Sequence, residues 1–296
     1  MNKNDREVAM PKNKVTYGVS ALLLTSILWG SSFPAIKLVV SEVSSYTYTW
    51  VRSSLALMVL LPYLVYVYLK KGISWKAVKG GLMAGIAYSL GLWLQGWGTK
   101  FTTASNSAFI TGLNVIFVHI YVALILREYN SRLALALIFS MTGLYLLTSP
   151  STGFNIGDLL VLVSAVMWAA QIIIVDAYGE GDPLVFTFFE ILPALAYSIP
   201  DFLDNGFEQI THGTLIILVY LAVFCSVFAF TLQVYGQRYV SPAIASIIFL
   251  SEPVFASLFA YVILSEVLSL IQIAGAGMII LAMLISSLSK TSYKQI

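Results

Sequence analysis

Long apolar runs separated by short polar breaks make up almost the whole of this chain. A helix needs about 20 mostly apolar residues to cross a hydrocarbon core about 30 Å thick. By that ruler the pattern predicts ten spans, at 15–40, 47–69, 80–98, 104–126, 132–149, 157–178, 183–200, 214–236, 241–264 and 267–288. The short alternating segments of a transmembrane β-barrel are missing. Most connections are a few residues long, which leaves no room for an extramembrane catalytic or nucleotide-binding domain. The expected fold is an all-α integral membrane protein, with tails at 1–14 and 289–296 and five spans in each of the segments 15–149 and 157–288.

Positive charge orients such a bundle. With the amino terminus inside, 13 of the 16 Lys and Arg residues fall in the tails and inner connections, as the positive-inside rule asks. They include Lys3, Arg6, Lys290 and Lys294 in the tails and Lys70, Lys76, Arg127 and Arg238 in the connections. A multi-pass protein of the cytoplasmic membrane with both termini in the cytoplasm is expected. Lys37 should snorkel to the outer interface. The loop "DAYGEGDP", Asp176 to Pro183, is inside on this count yet carries only acids, which weigh little in the rule.

Composition agrees: 59% of the 296 residues are hydrophobic, 10% are charged, and the mean hydropathy is +0.87. That is too little polar surface to coat a water-soluble globule. A net charge of +2 without a basic patch leaves nucleic acid no footprint. The single Cys225 has no disulfide partner, and His119 and His212 are too few for a zinc cluster, so neither metal nor cofactor is expected. The polar head "MNKNDREVAMPKNK" leads into a run too long for a signal peptide, so no cleaved leader is expected.

The two halves repeat. Gln95 to Glu128 aligns without a gap on Gln233 to Glu266: each stretch begins with Gln, has Gly three residues on, then a basic and an aromatic residue, and closes with Leu-x-Glu. Trp29 and Trp168 hold matching midspan places, and Arg52 corresponds to Glu190. Five spans is an odd number, so the second half must enter the bilayer from the side opposite the first. Inverted repeats are a recurring device of secondary transporters.

This layout, with "ILWGSSFPAIK" in the first span and "SEPVFASLFAYVILSE" in the ninth followed by "GAGMIILAML", resembles the drug/metabolite transporter superfamily and, within it, the EamA-type transporters. The resemblance runs from about Val15 to Ser287. It implies ten helices around a central cavity and movement of amino acids or related small metabolites, often outward. One departure stands out: Asn114-Val115 occupies the place of Glu252-Pro253, so the halves are chemically unlike.

Costly residues inside apolar runs are the site candidates. Pro34 should bend the first span and free carbonyls near Gly30 and Ser31. Trp29, Ser31, Tyr88, Gln95, Trp168, Gln171, Gln233 and Glu252 are expected to line the substrate cavity. Small residues such as Ser31 and Ser32 serve plain packing equally well, and each glutamine could instead bridge two helices. A carboxylate at Glu252, ahead of Pro253, must pair with a cation or hold a proton. Glu252 and His119 are the candidates for proton coupling, although His119 reads better as a satisfied core histidine. Arg52 and Glu190 are expected to form a structural charge pair. Glu128, Glu266, Ser131 and Ser269 read as turn and cap residues, and the pairs Gly81/Gly85 and Gly275/Gly277 as helix packing.

The function these features imply is a secondary transporter or facilitator of small metabolites, most of all amino acids, working by alternating access. A small-molecule substrate, the lipid bilayer and coupling protons are its expected partners, and it is a monomer or a homodimer. A carrier of another metabolite or of a drug-like organic cation is the alternative. A membrane-embedded enzyme would need HExxH, GxSxG, a Cys/His group or an Asp pair, none of which is present.

Overall fold

The computed structural model describes residues 12–127, 129–148, 155–206, 208–264 and 269–287. Most of the two expected tails, with Lys3, Arg6, Lys290 and Lys294, and the cap candidates Glu128 and Glu266 lie outside the described residues.

Among the described residues all regular structure is helical. Eight helices are long and apolar enough to cross a membrane and two more are shorter. In chain order they are α1 (Asn13–Glu42), α2 (Ser45–Lys71), α3 (Trp75–Phe101), α4 (Asn106–Leu126), the shorter α5 (Ser131–Leu147), α6 (Ile156–Tyr178), α7 (Pro183–Asp204), α8 (His212–Gly236), α9 (Pro242–Phe259) and the shorter α10 (Leu270–Ser286). Their starts follow local chemistry. Ser44 accepts from the Thr47 amide to open α2, Asn155 and Asp158 form a capping box on α6, and Asp182 and Ser241 cap α7 and α9 with proline in the first turn. Ser269 caps α10 as expected, accepting from the Gln272 amide, and the Gln272 side chain answers by accepting from the Ser269 amide. At α5, Asn130 accepts from the Leu133 amide at 3.0 Å, so the cap precedes the expected Ser131 by one residue.

Packing between the halves obeys a pseudo-twofold relation. α3 lies along α6 and α8 along α1; α3 meets α7 and α2 meets α8; α4 meets α6 and α1 meets α9. The contacts α2–α7, α4–α9 and α5–α10 map onto themselves. Glycines allow the closest crossings. A Cβ on Gly98 would fall 2.6 Å from the Gly157 carbonyl, and one on Gly85 2.5 Å from the Glu190 carbonyl. Gly81 and Gly275 pack as expected, but Gly277 has nothing within 4 Å and plays no such part.

Three helices are broken at their middles: α1 at Ser31, α4 at Leu113, and α9 at Leu250 and Ser251. The bend in α1 comes three residues ahead of Pro34, where the missing amide leaves the Gly30 carbonyl without its helical donor. The breaks in α4 and α9 are related by the repeat and tighten to i→i+3 bonds (Leu113 to Ile110, 3.1 Å; Ser251 to Ile248, 3.0 Å). They fall one residue before Asn114 and Glu252.

The two ends of the bundle differ. At the end that gathers Lys and Arg, the acidic loop is held by Lys76, whose ammonium lies 2.6 Å from Glu180. Arg238 donates to the carbonyls of Gly179 (2.8 Å) and Gly181 (2.5 Å). At the opposite end, Asp201 in the last turns of α7 accepts from Ser44, Thr47 and Trp50, and Glu208 accepts from the Ser44 amide, which ties the start of α2 to α7 and to the connection that follows it. Lys37 is more than an interfacial anchor: its ammonium donates to the carbonyls of Thr99 (2.8 Å), Lys100 (3.1 Å) and Thr102 (2.7 Å), at the end of α3 where a helix dipole is negative.

Candidate functional site

The broken helices converge on a cavity with about 510 Å³ of unfilled space, part of it continuous with the outside. α1, α2, α3, α4, α6, α8 and α9 line it; α5, α7 and α10 do not. Its apolar wall is aromatic. Phe230 is the hub, with ring centroids 4.9 Å from Trp29, 4.9 Å from Tyr88 and 5.9 Å from Trp168. Trp29 also packs 5.2 Å from Phe249 and donates its indole N–H to the Cys225 carbonyl at 3.1 Å. That carbonyl lies in the π-helical turns Leu221–Phe228 of α8, where widened winding disturbs the normal ladder.

The polar wall holds groups without protein partners. Glu252 reaches the cavity from the break in α9, buried to 8% exposure, and has no hydrogen bond or ion pair among the described residues. The Asn114 Oδ1, at the repeat-related place on α4, and the Trp168 indole N–H are likewise buried and unpartnered. Gln95 is held by Thr111 at 3.0 Å, and both lie in the wall. Backbone crowding sets the depth of Glu252: a Cβ on Gly30 would fall 2.8 Å from the Glu252 carbonyl, so the bend of α1 rests directly on the break in α9.

Of the sequence candidates, Trp29, Gln95, Trp168, Gln171 and Glu252 come together in the wall. Three do not. Ser31 is turned away, bonded to the Leu28 carbonyl (2.6 Å) and Tyr220 (2.5 Å), and its neighbour Ser32 faces the cavity instead. Tyr88 is fully buried behind Trp168 and Phe230. Gln233 lies behind Gln171 in a reciprocal amide pair (2.9 and 3.1 Å) and passes a further bond to Gln237 at 2.8 Å.

Two further expectations are corrected. Arg52 and Glu190 form no ion pair. Arg52 donates to Ser226 (2.8 Å) and Tyr48 (2.6 Å) with its head in the cavity wall, whereas Glu190 accepts from Gln171 at 2.5 Å. Equivalent positions on two crossing helices need not face each other, because side-chain direction depends on rotation about each axis. His119 is no proton relay at the cavity. Its Nε2–H can only donate to the Ala243 carbonyl (3.3 Å), which leaves Nδ1 to accept from the Tyr129 hydroxyl (2.8 Å), and it is 2% exposed. Burial raises the Tyr129 phenol above its usual range, so it remains the donor. Sequence reasoning missed Phe230, Thr111 and Gln237 altogether. Asn114 was legible as the counterpart of Glu252.

Residues 16–149 and 155–288 each match the EamA-like transporter family. An "Uncharacterized transporter" of Archaeoglobus fulgidus is 33% identical over 279 residues, covering 93% of this chain and 87% of its own. "Uncharacterized transporter YyaM" of Bacillus subtilis is 26% identical over 281 residues, covering 90% and 92%. A solved crystal structure 15% identical to this chain superposes with a TM-score of 0.73 over 91% of this chain and 96% of that one, a likeness of fold.

Proposed function

Because this chain belongs to the EamA-like transporter family, we propose that it carries a small zwitterion, an amino acid with an apolar side chain or a close relative, through its central cavity by alternating access. The observation that carries this reading is that one aromatic wall holds both an acidic and a basic side chain: Glu252, without a partner among the described residues and so ready to give up its proton when a cationic group arrives, and Arg52, with two of its N–H donors engaged. A guanidinium has five such donors, so Arg52 keeps capacity for a carboxylate. Glu252 takes the substrate ammonium, the Asn114 carbonyl oxygen adds an acceptor, the Trp168 indole adds a donor, and Trp29, Phe230 and Phe249 enclose the apolar part. The transporter sits in the cytoplasmic membrane with its termini inside, on the positive-inside count of the sequence.

Both charged groups are needed for the zwitterion reading, and an organic cation would need Glu252 alone. Ligand binding raises the apparent stability of purified protein in proportion to affinity. Thermal unfolding with leucine, with 3-methylbutylamine, which lacks the carboxylate, and with 4-methylpentanoate, which lacks the ammonium, separates the two. Leucine is expected to stabilise most. An amine that stabilises as well as leucine selects the organic cation, and no effect from any of the three refutes both readings.

A further inference from the structure

Glu190 lies outside the cavity and has no part in the reading above. It sits on α7 at 0% exposure, beneath the close approach of α3 at Gly85. Its Oε1 accepts one bond, from the Gln171 amide at 2.5 Å, and its Oε2 has no hydrogen-bond partner. No cation pairs with it among the described residues.

The helices packed on α7 supply no other relief. On α2, Arg52 is turned to Tyr48 and Ser226. On α3, Tyr88 lies 3.5 Å from the same Ser226. On α8, Cys225 gives its S–H to the Leu28 carbonyl at 3.3 Å. The amides are spent as well. Gln171 gives its second hydrogen to Gln233, and Gln233 commits its two to Gln171 and Gln237. A carboxylate anion here would keep one oxygen with neither donor nor counter-charge, and a buried unpaired charge costs far more than a buried hydroxyl.

We infer that Glu190 is a proton-binding site, with the proton on Oε2, and that Gln171 links its occupancy to the cavity. Oε1 is then the carbonyl oxygen that accepts from Gln171. Gln171 has one side in the cavity wall and the other on this carboxyl. A solute that draws on the Gln171 amide weakens the one bond that supports Glu190, so solute and proton act on each other through a shared side chain without touching. This proton site is separate from Glu252, which faces the solute directly.

The test needs no substrate, so it stands or falls apart from the zwitterion reading. Infrared spectra of the protein in liposomes are recorded from mildly acidic to alkaline pH, for wild type, Glu190→Gln and Gln171→Leu. The wild-type minus Glu190→Gln difference is expected to contain the C=O band of a protonated carboxyl at neutral pH. In Gln171→Leu that band shifts to higher frequency, because its carbonyl has lost a donor. If Glu190→Gln fails to fold, isotope-labelled glutamate in wild type and in Gln171→Leu gives the same comparison. Carboxylate bands alone at neutral pH overturn the proton site, and a band unmoved by Gln171→Leu overturns the link to the cavity.

Discussion

Replacing Gly85 by alanine sets two local effects against each other. Within a helix alanine is favoured over glycine by about 1 kcal/mol. At Gly85, however, the new Cβ would sit 2.5 Å from the Glu190 carbonyl oxygen and 2.7 and 2.8 Å from Cγ and Cδ of Pro193. Comfortable contact begins near about 3.5 Å. Neither a main-chain carbonyl nor a proline ring can swing aside, so α3 and α7 must part by roughly 1 Å to reach it. Overpacking costs about 1–3 kcal/mol, and a clash with backbone lies toward the upper end. The clash wins over propensity, leaving a net loss of about 2 kcal/mol. Gly277→Ala is the control. With nothing within 4 Å of its Cβ, it keeps the propensity gain of up to about 1 kcal/mol. The single Cys225 supplies the assay, since it is buried in the folded protein and reacts with a thiol dye only on unfolding. On a temperature ramp, Gly85→Ala should label earlier than wild type and Gly277→Ala no earlier. A Gly85→Ala protein that labels with wild type or later would show that the α3–α7 contact has slack, and the argument from close approach would fail.

Three other substitutions follow from the same geometry. Glu252→Gln keeps the side-chain shape but loses the charge. Truncating one partner of a buried charge pair costs about 2–5 kcal/mol, so leucine affinity in proteoliposome counterflow should fall about 30-fold or more; unchanged affinity removes the ammonium from Glu252. Arg52→Lys cannot hold Tyr48 and Ser226 at once, and with one charged hydrogen bond gone the thermal midpoint should drop by the equivalent of about 1.5–3 kcal/mol. An unshifted midpoint would mean that the fork holds nothing. Lys37→Met retains the stem and loses the three carbonyl contacts at the end of α3. Partial exposure limits the cost to about 1 kcal/mol, read as faster amide exchange around Phe101 to Thr103; exchange at the wild-type rate would refute the cap.

The bundle was legible because lipid imposes length and apolarity on each span, and because Gln95 and Gln233 opened matching stretches that lipid contact does not explain. The helix breaks were half legible. Pro34 announced the bend in α1, but at Leu113 there is no proline, and the Thr111, Gly112 and Asn114 around it read as well as packing or lining residues of an unbroken helix. The site was harder, since facing and hydrogen-bond commitment are properties of packing. Gln95 and Gln233 are equivalent in sequence, yet one reaches the cavity and the other does not. The difference lies in their neighbours. Gln171, three residues after Trp168, is long enough to capture Gln233; Ser32, three residues after Trp29, is too short to do so for Gln95 and bonds the Trp29 carbonyl instead. Gln95 is left to Thr111 and the cavity.

That contrast recurs wherever the repeats meet the site. Asn114 is the counterpart of Glu252 in the repeat, Ser32 that of Gln171, and Arg52 that of Glu190. In each case the backbone is duplicated and the chemistry is not. On the alternating-access reading the two properties do different work. A near-symmetric backbone lets the halves exchange conformations at little cost, so the same cavity can open to either side. Unlike side chains give that cavity a polarity, with a carboxyl on α9 and a guanidinium on α2, which on the proposed reading holds a zwitterion in one orientation. The contact between Gly30 and the Glu252 carbonyl then joins them. Because the bend of α1 bears on the segment that carries Glu252, a shift of α1 relative to α9 on that reading disturbs the setting of the carboxyl, so the fit to the solute changes with the conformation that exposes it.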